Sequence, residues 1–157
     1  MEFFKATRLL TSIIVCEVAG AIGSFFTAPQ ISGWYKTLNR PSFNPPNWIF
    51  GPVWTAIFVM MGIAVFLVWD KKWGGKKTVN ILVFFSQLFL NVLWSFIFFA
   101  MHNVGVAFFE LVVLWFVILF MVINFYKVSK TAAILLLPYI LWVSFAAVLN
   151  FSIWKLN

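Results

Sequence analysis

The sequence predicts an all-α polytopic membrane protein, a bundle of five transmembrane helices. Hydrophobic residues make up 64% of the 157-residue chain and charged residues only 10%, with a mean hydropathy of +1.01. Soluble domains run about 45–50% apolar and about 25% charged, so a soluble globular domain is excluded. The same balance excludes intrinsic disorder, which needs low hydrophobicity and many charges. The apolar runs are continuous, whereas the strands of a membrane barrel would alternate over about ten residues. Roughly 100 apolar residues, at about 20 per span, fill about five spans.

Charged residues mark the boundaries of each element. Between Arg8 and Lys36 the only charge is Glu17, which gives a first span at about 7–27. Lys5 and Arg8, the run Leu9–Cys16 and then Ala19-Gly20-Ala21 mimic a secretory signal, but Glu17 interrupts the pattern and cleavage would discard a span. The segment therefore reads as a retained helix. No charge lies between Pro41 and Trp69, and a helix should begin only after Pro46, giving a second span at about 48–69. From Thr78 to Tyr126 the only charge is Glu110. As one helix that stretch would be about 74 Å long, against a hydrocarbon core of about 30 Å. It must be two spans, about 79–101 and 105–126, turning at His102-Asn103-Val104-Gly105. The fifth span covers about 131–154, and Pro138 within it predicts a kink, because it removes one backbone hydrogen bond and crowds the carbonyl of Ile134. A single domain over residues 1–157 follows, without linker, repeat or low-complexity tract.

With five spans, the N-terminus shares a side with the second and fourth connections. That side carries Lys5, Arg8, Lys71, Lys72, Lys76, Lys77, Lys127 and Lys130, while the other carries only Lys36, Arg40 and Lys155. The positive-inside rule puts the N-terminus in the cytoplasm and the C-terminus outside, with the long loop at about 28–47 facing outward. The net charge of +7 thus reports topology, not a nucleic-acid partner.

Cys16 is the only cysteine and His102 the only histidine, which excludes an intrachain disulfide, a Cys-based zinc site and a bis-histidine haem. No metal spacing, Gly-rich phosphate loop or Ser-His-Asp set is present, and no cofactor is expected. The long loop mixes aromatic residues with Pro41, Pro45 and Pro46, so it reads as stiff and ordered. It is either an interfacial aromatic belt or a lid over a cavity. Three helical stripes point inward. They are Gln87, Asn91, Trp94 and Phe98 in the third span; Trp54, Phe58, Met61 and Val65 in the second; and Trp142, Ala146, Leu149 and Asn150 in the fifth. Amides facing lipid are costly, so these faces look to neighbouring helices or to an aromatic-lined pocket. Ala19, Gly20, Ala21, Gly23 and Ser24 permit close helix approach, within the chain or at a dimer face. Glu17 and Glu110 are acids at membrane depth, Glu110 near the end of its span and Glu17 deeper.

In order, these residues resemble the TspO/MBR family, the tryptophan-rich sensory and translocator proteins. The likeness rests on Trp34-Tyr35 with Leu38 and Pro41, Pro45-Pro46-x-Trp48-x-Phe50-Gly51-Pro52-Val53-Trp54, Gln87-x-x-x-Asn91-x-x-Trp94 with Phe98-Phe99, and Pro138-Tyr139-x-x-Trp142-x-x-Phe145-Ala146-x-x-Leu149-Asn150. It covers nearly the whole chain. The resemblance implies a five-helix bundle, commonly a homodimer, in a bacterial cell membrane, binding porphyrins or other hydrophobic small molecules. It implies a pocket between helices under the first loop, using Trp34, Pro45, Pro46, Trp54, Phe58, Asn91, Trp94, Trp142, Ala146 and Leu149. Val106 stands where animal members carry Trp, and Phe151 where their sterol motif has Tyr, which argues against sterol transport. Three readings follow: a tetrapyrrole-binding sensor or carrier, a proton-coupled exporter using Glu17, and a light-dependent porphyrin-degrading enzyme with Trp54 and Trp142 as relays.

Overall fold

The computed structural model describes residues 2–157, and among them most residues are helical and no strand occurs. Five helical stretches are long and apolar enough to cross a membrane: Phe3–Ile31, Asn47–Asp70, Lys77–Ala100, Val104–Val128 and Lys130–Leu156. The five-helix membrane bundle expected from the sequence is the observed fold.

Helix α1 (Glu2–Ile31) has 30 residues and carries Pro29 near its end. At about 1.5 Å per residue it is about 45 Å long, so it extends past both ends of the expected span. The expected start rested on Arg8, but long basic side chains such as Lys5 and Arg8 stay helical while their heads reach water. A single turn, α2 (Trp34–Thr37), follows within the long loop. Helix α3 (Asn47–Asp70) starts directly after Pro46, whose extended backbone (φ −55°, ψ 138°) ends the loop. A tight turn then passes through left-handed Lys72, Trp73, Gly74 and Gly75. Gly74 is required there twice over, since its φ is +59° and a Cβ would stand 2.3 Å from Val128 Cγ2.

Helix α4 (Lys77–Ser95) widens into a π turn over Phe96–Ala100, with Met101 N–H donating to Phe96 O at 3.0 Å. Such turns add one residue to the helical ring and recur at functional sites. Asn103 caps helix α5 (Val104–Val128), its Oδ1 accepting from Val106 N–H at 3.1 Å. The fifth span is divided. Helix α6 (Lys130–Leu135), capped by Ser129, breaks at Leu136 before α7 (Leu137–Leu156), with Pro138 in the first turn of α7. The break falls where the proline predicts it.

The helices close into a ring in which α1 packs on α3 and α4, and α5 packs between α4 and α7. α3 packs well against α6 but only sparsely against α7. The break at Leu136 therefore leads α7 away from α3 and leaves space between them. The outer surface is apolar: Leu10, Ile14, Val18 and Ile22 are exposed along α1, and Phe109, Val113, Phe116 and Phe120 along α5. Rows of that kind suit acyl chains rather than water. Arg8 meets Asp70 at 3.7 Å and Lys71 Nζ donates to Val128 O at 3.2 Å, which ties together the end of the bundle where the basic residues gather.

Candidate ligand-binding cavity

The space between α1, α3, α4 and α7 is a cavity of about 470 Å³ at the long-loop end of the bundle. Small-molecule pockets commonly measure about 300–1,000 Å³. Trp54 and Phe58 line it from α3, Asn91 and Trp94 from α4, and Trp142, Ala146 and Leu149 from α7. Trp54 stacks on Phe58 with ring centroids 5.6 Å apart, and Trp94 stacks on Phe98 at 5.1 Å. Phe50 meets Trp142 edge-on at 5.9 Å. The wall is thus built from aromatic faces on three helices.

A polar chain holds those faces in place. Gln87 Nε2 donates to Met61 Sδ at 3.1 Å, Tyr139 Oη donates to Gln87 Oε1 at 2.9 Å, and Asn91 Nδ2 donates to Tyr139 Oη at 3.1 Å. Nearer the loop, Trp94 Nε1 donates to Asn150 Oδ1 at 3.1 Å, and Asn150 Nδ2 donates to Val104 O at 2.8 Å. The amides therefore join α3, α4, α5 and α7, each donating a hydrogen bond, as buried polar groups require. Glu110 is an exception. It is buried on α5, and neither carboxyl oxygen has a hydrogen-bond partner.

Three residues expected in the pocket lie elsewhere. Trp34 stacks on His102 at 4.2 Å, almost parallel, and meets Phe98 edge-on, so it braces the loop from outside the cavity wall. Pro45 and Pro46 border a separate open depression with Asn39, Arg40 and Asn44. The inward residue of the loop is Tyr35, which lines the cavity. It is 4% exposed, and its hydroxyl donates to Asn44 Oδ1 at 2.8 Å. Burial pushes the Tyr35 phenol pKa above its ordinary value, while Arg40, with its guanidinium 5.2 Å from the ring centre, opposes that shift. The short helix α2 decides between neighbours, because successive helical residues point about 100° apart.

The small residues of α1 also reach the wall. Gly20, Ala21, Gly23 and Ser24 line the cavity, and a Cβ at Gly20 would stand 2.6 Å from the Phe58 ring. Gly20 thus seats Phe58 within the chain. Val106 is half-exposed and outside the wall. The loop is fastened to the end of α7. Asn39 N–H donates to Asn157 Oδ1 at 2.9 Å, and Asn157 Nδ2 donates back to Asn39 O at 3.0 Å. Among the described residues, no three His, Cys, Asp or Glu side chains gather as metal ligands.

Fold and cavity together define an integral multi-pass membrane protein with an aromatic chamber between its helices. Residues 12–155 match the TspO/MBR family. The tryptophan-rich protein TspO of Archaeoglobus fulgidus is 39% identical over 150 residues, covering 96% of this chain and 97% of that one. The protein of the same name from Chlorobaculum tepidum is 43% identical, covering 95% of each chain. The translocator protein of Homo sapiens is 37% identical, covering 87% of this chain and 82% of its own. The chain belongs to the TspO/MBR family, as its motifs suggested.

Proposed function

We propose that the protein binds a porphyrin in this cavity and senses or carries it within the membrane. One observation carries the reading: Trp54, Phe58, Trp94 and Trp142, from three helices, line one cavity. A tetrapyrrole is a large flat π-system, and aromatic pairing adds about 0.5–1.5 kcal/mol beyond area burial. Relatives named as sensory and translocator proteins support a role in handling a small molecule. In this reading Trp34, Pro45 and Pro46 shape the roof without touching the ligand.

A porphyrin titration in the dark, followed by illumination, tests the proposal. Trp54→Phe and Trp142→Phe should each weaken binding by roughly 0.5–1 kcal/mol, a few-fold in Kd, with less quenching of tryptophan fluorescence. Porphyrin affinity equal to wild type in both single variants and in the double variant would remove the assignment. Oxygen-dependent loss of porphyrin absorbance in the light would move the reading from carrier to enzyme.

The proposal includes an orientation. The end that gathers Lys5, Arg8, Lys71, Lys72, Lys76, Lys77, Lys127 and Lys130 faces the cytoplasm of a bacterial cell, and the cavity lies toward the other side. Reporter fusions at both termini check it, and a cytoplasmic signal from the C-terminal fusion would refute it.

A further inference from the structure

The porphyrin reading leaves one wall residue without a role. Glu17 lines the cavity from α1, and its Oε1 is buried with no hydrogen-bond partner. Among the described residues the ion pair found is Arg8 with Asp70, and no basic side chain pairs with Glu17. The sequence gives the reason, since no Lys or Arg lies between Arg8 and Lys36. An acid at membrane depth ordinarily has a partner, and here the partner is missing from the protein.

The neighbouring amides have their donors engaged. Trp94 Nε1 is used by Asn150 Oδ1, Asn150 Nδ2 by Val104 O, and Asn91 Nδ2 by Tyr139 Oη. Asn91 Oδ1 receives no hydrogen bond from the protein, and Asn91 lines the same cavity as Glu17. Gly20 lies on the same face of α1 as Glu17, three residues on, and its missing side chain lets the Phe58 ring rest against the helix there. Trp54 stacks behind that ring. An unpaired carboxyl beside stacked aromatic faces is the chemistry that recognises an organic cation, because the ring faces and the acid attract positive charge together.

We propose that the cavity takes a flat, apolar, aromatic cation, its N–H directed at Glu17 with Asn91 Oδ1 as the second acceptor. The inference rests on the cavity being the ligand site and adds a ligand class of opposite charge to the carboxylates of a porphyrin. Glu17 is then a specificity-determining residue, supplying the charge that the aromatic wall lacks.

The test uses the full chain in detergent or vesicles and two fluorescent probes with the same ring system, at mildly alkaline pH. 9-Aminoacridine is a cation there and acridine is neutral. Wild type should bind the cation about tenfold more tightly than the neutral ring. Glu17→Gln should abolish that preference by weakening the cation, while acridine still binds, which shows that the cavity is intact. Equal affinity of wild type for the two probes, or a preference that survives Glu17→Gln, overturns the proposal. If neither acridine nor porphyrin binds wild type, the cavity is not the ligand site and both readings fall. If both bind without regard to charge, only this one does.

Discussion

Toward the basic end of the bundle the helices meet at backbone distance, while at the loop end they stand apart around a cavity. The closed end is made by small residues. A Cβ on Gly62 would lie 2.6 Å from Ile13 Cα, so α1 and α3 touch there through their main chains. Met61, Ala64, Val68, Met121, Phe125, Ala132 and Leu136 are fully buried in the same core. The open end is made by a break and a bulge. The interruption at Leu136 directs α7 away from α3, and the π turn at Phe96–Ala100 ends α4 beside the cavity. The same apolar composition thus gives a solid core or a chamber, depending on where Gly and Pro fall. On the proposed function, rigidity belongs at one end and ligand exchange at the other, as low local packing allows.

The closed end is most vulnerable at Gly62. Gly62→Val forces a branched side chain against Ile13 backbone, which cannot move without separating α1 from α3. Overpacking of this kind costs typically about 1–3 kcal/mol, and a backbone contact puts this variant at the upper end. Thermal unfolding in detergent should show a large fall in Tm. Porphyrin affinity in the folded fraction should stay near wild type, because the cavity lies toward the other end. A variant as stable as wild type would show that the closed end is not tightly packed.

Much of this was legible in the chain. The spans were, because placing a charge at membrane depth is costly and the apolar runs stop near charges; the helices overrun those charges at their ends, α1 past Lys5 and Arg8, α5 past Lys127 and α7 past Lys155. The break at Pro138 was legible because a missing N–H acts locally. Trp54, Phe58, Asn91, Trp94, Trp142, Ala146 and Leu149 were readable as inward residues because helical period alone sets a shared face. Trp34 and Tyr35 could not be separated, since one turn of helix inside a loop decides which of two neighbours points in. Glu17 could be recognised as deep, but whether it faces lipid, a helix or a cavity depends on how four helices assemble. The π turn carries no signal in Phe96–Ala100 that distinguishes it from an ordinary helical end.

A smaller effect is expected where the loop meets the last turn of α7. Asn157 and Asn39 exchange two hydrogen bonds, and Asn39 Nδ2 donates a third to Leu156 O at 3.3 Å. These are exposed, so water competes for every one of them, and their net worth falls toward the low end of the usual range of about 0.5–1.5 kcal/mol. Asn157→Ala removes the reciprocal pair while leaving the cavity wall untouched. Global stability should therefore barely change, and the effect should fall on loop opening. If the roof formed by α2 and Tyr35 must lift for ligand to leave, porphyrin dissociation should quicken by roughly two- to fivefold, the factor that loss of about 0.5–1 kcal/mol gives. Protease cleavage within 28–47 should rise in the free variant, and saturating porphyrin should suppress it by holding the roof down. Stopped-flow release and limited proteolysis read the two effects separately. Unchanged dissociation with faster cleavage would mean that the loop moves freely but does not gate the cavity, and ligand then exchanges between the helices instead.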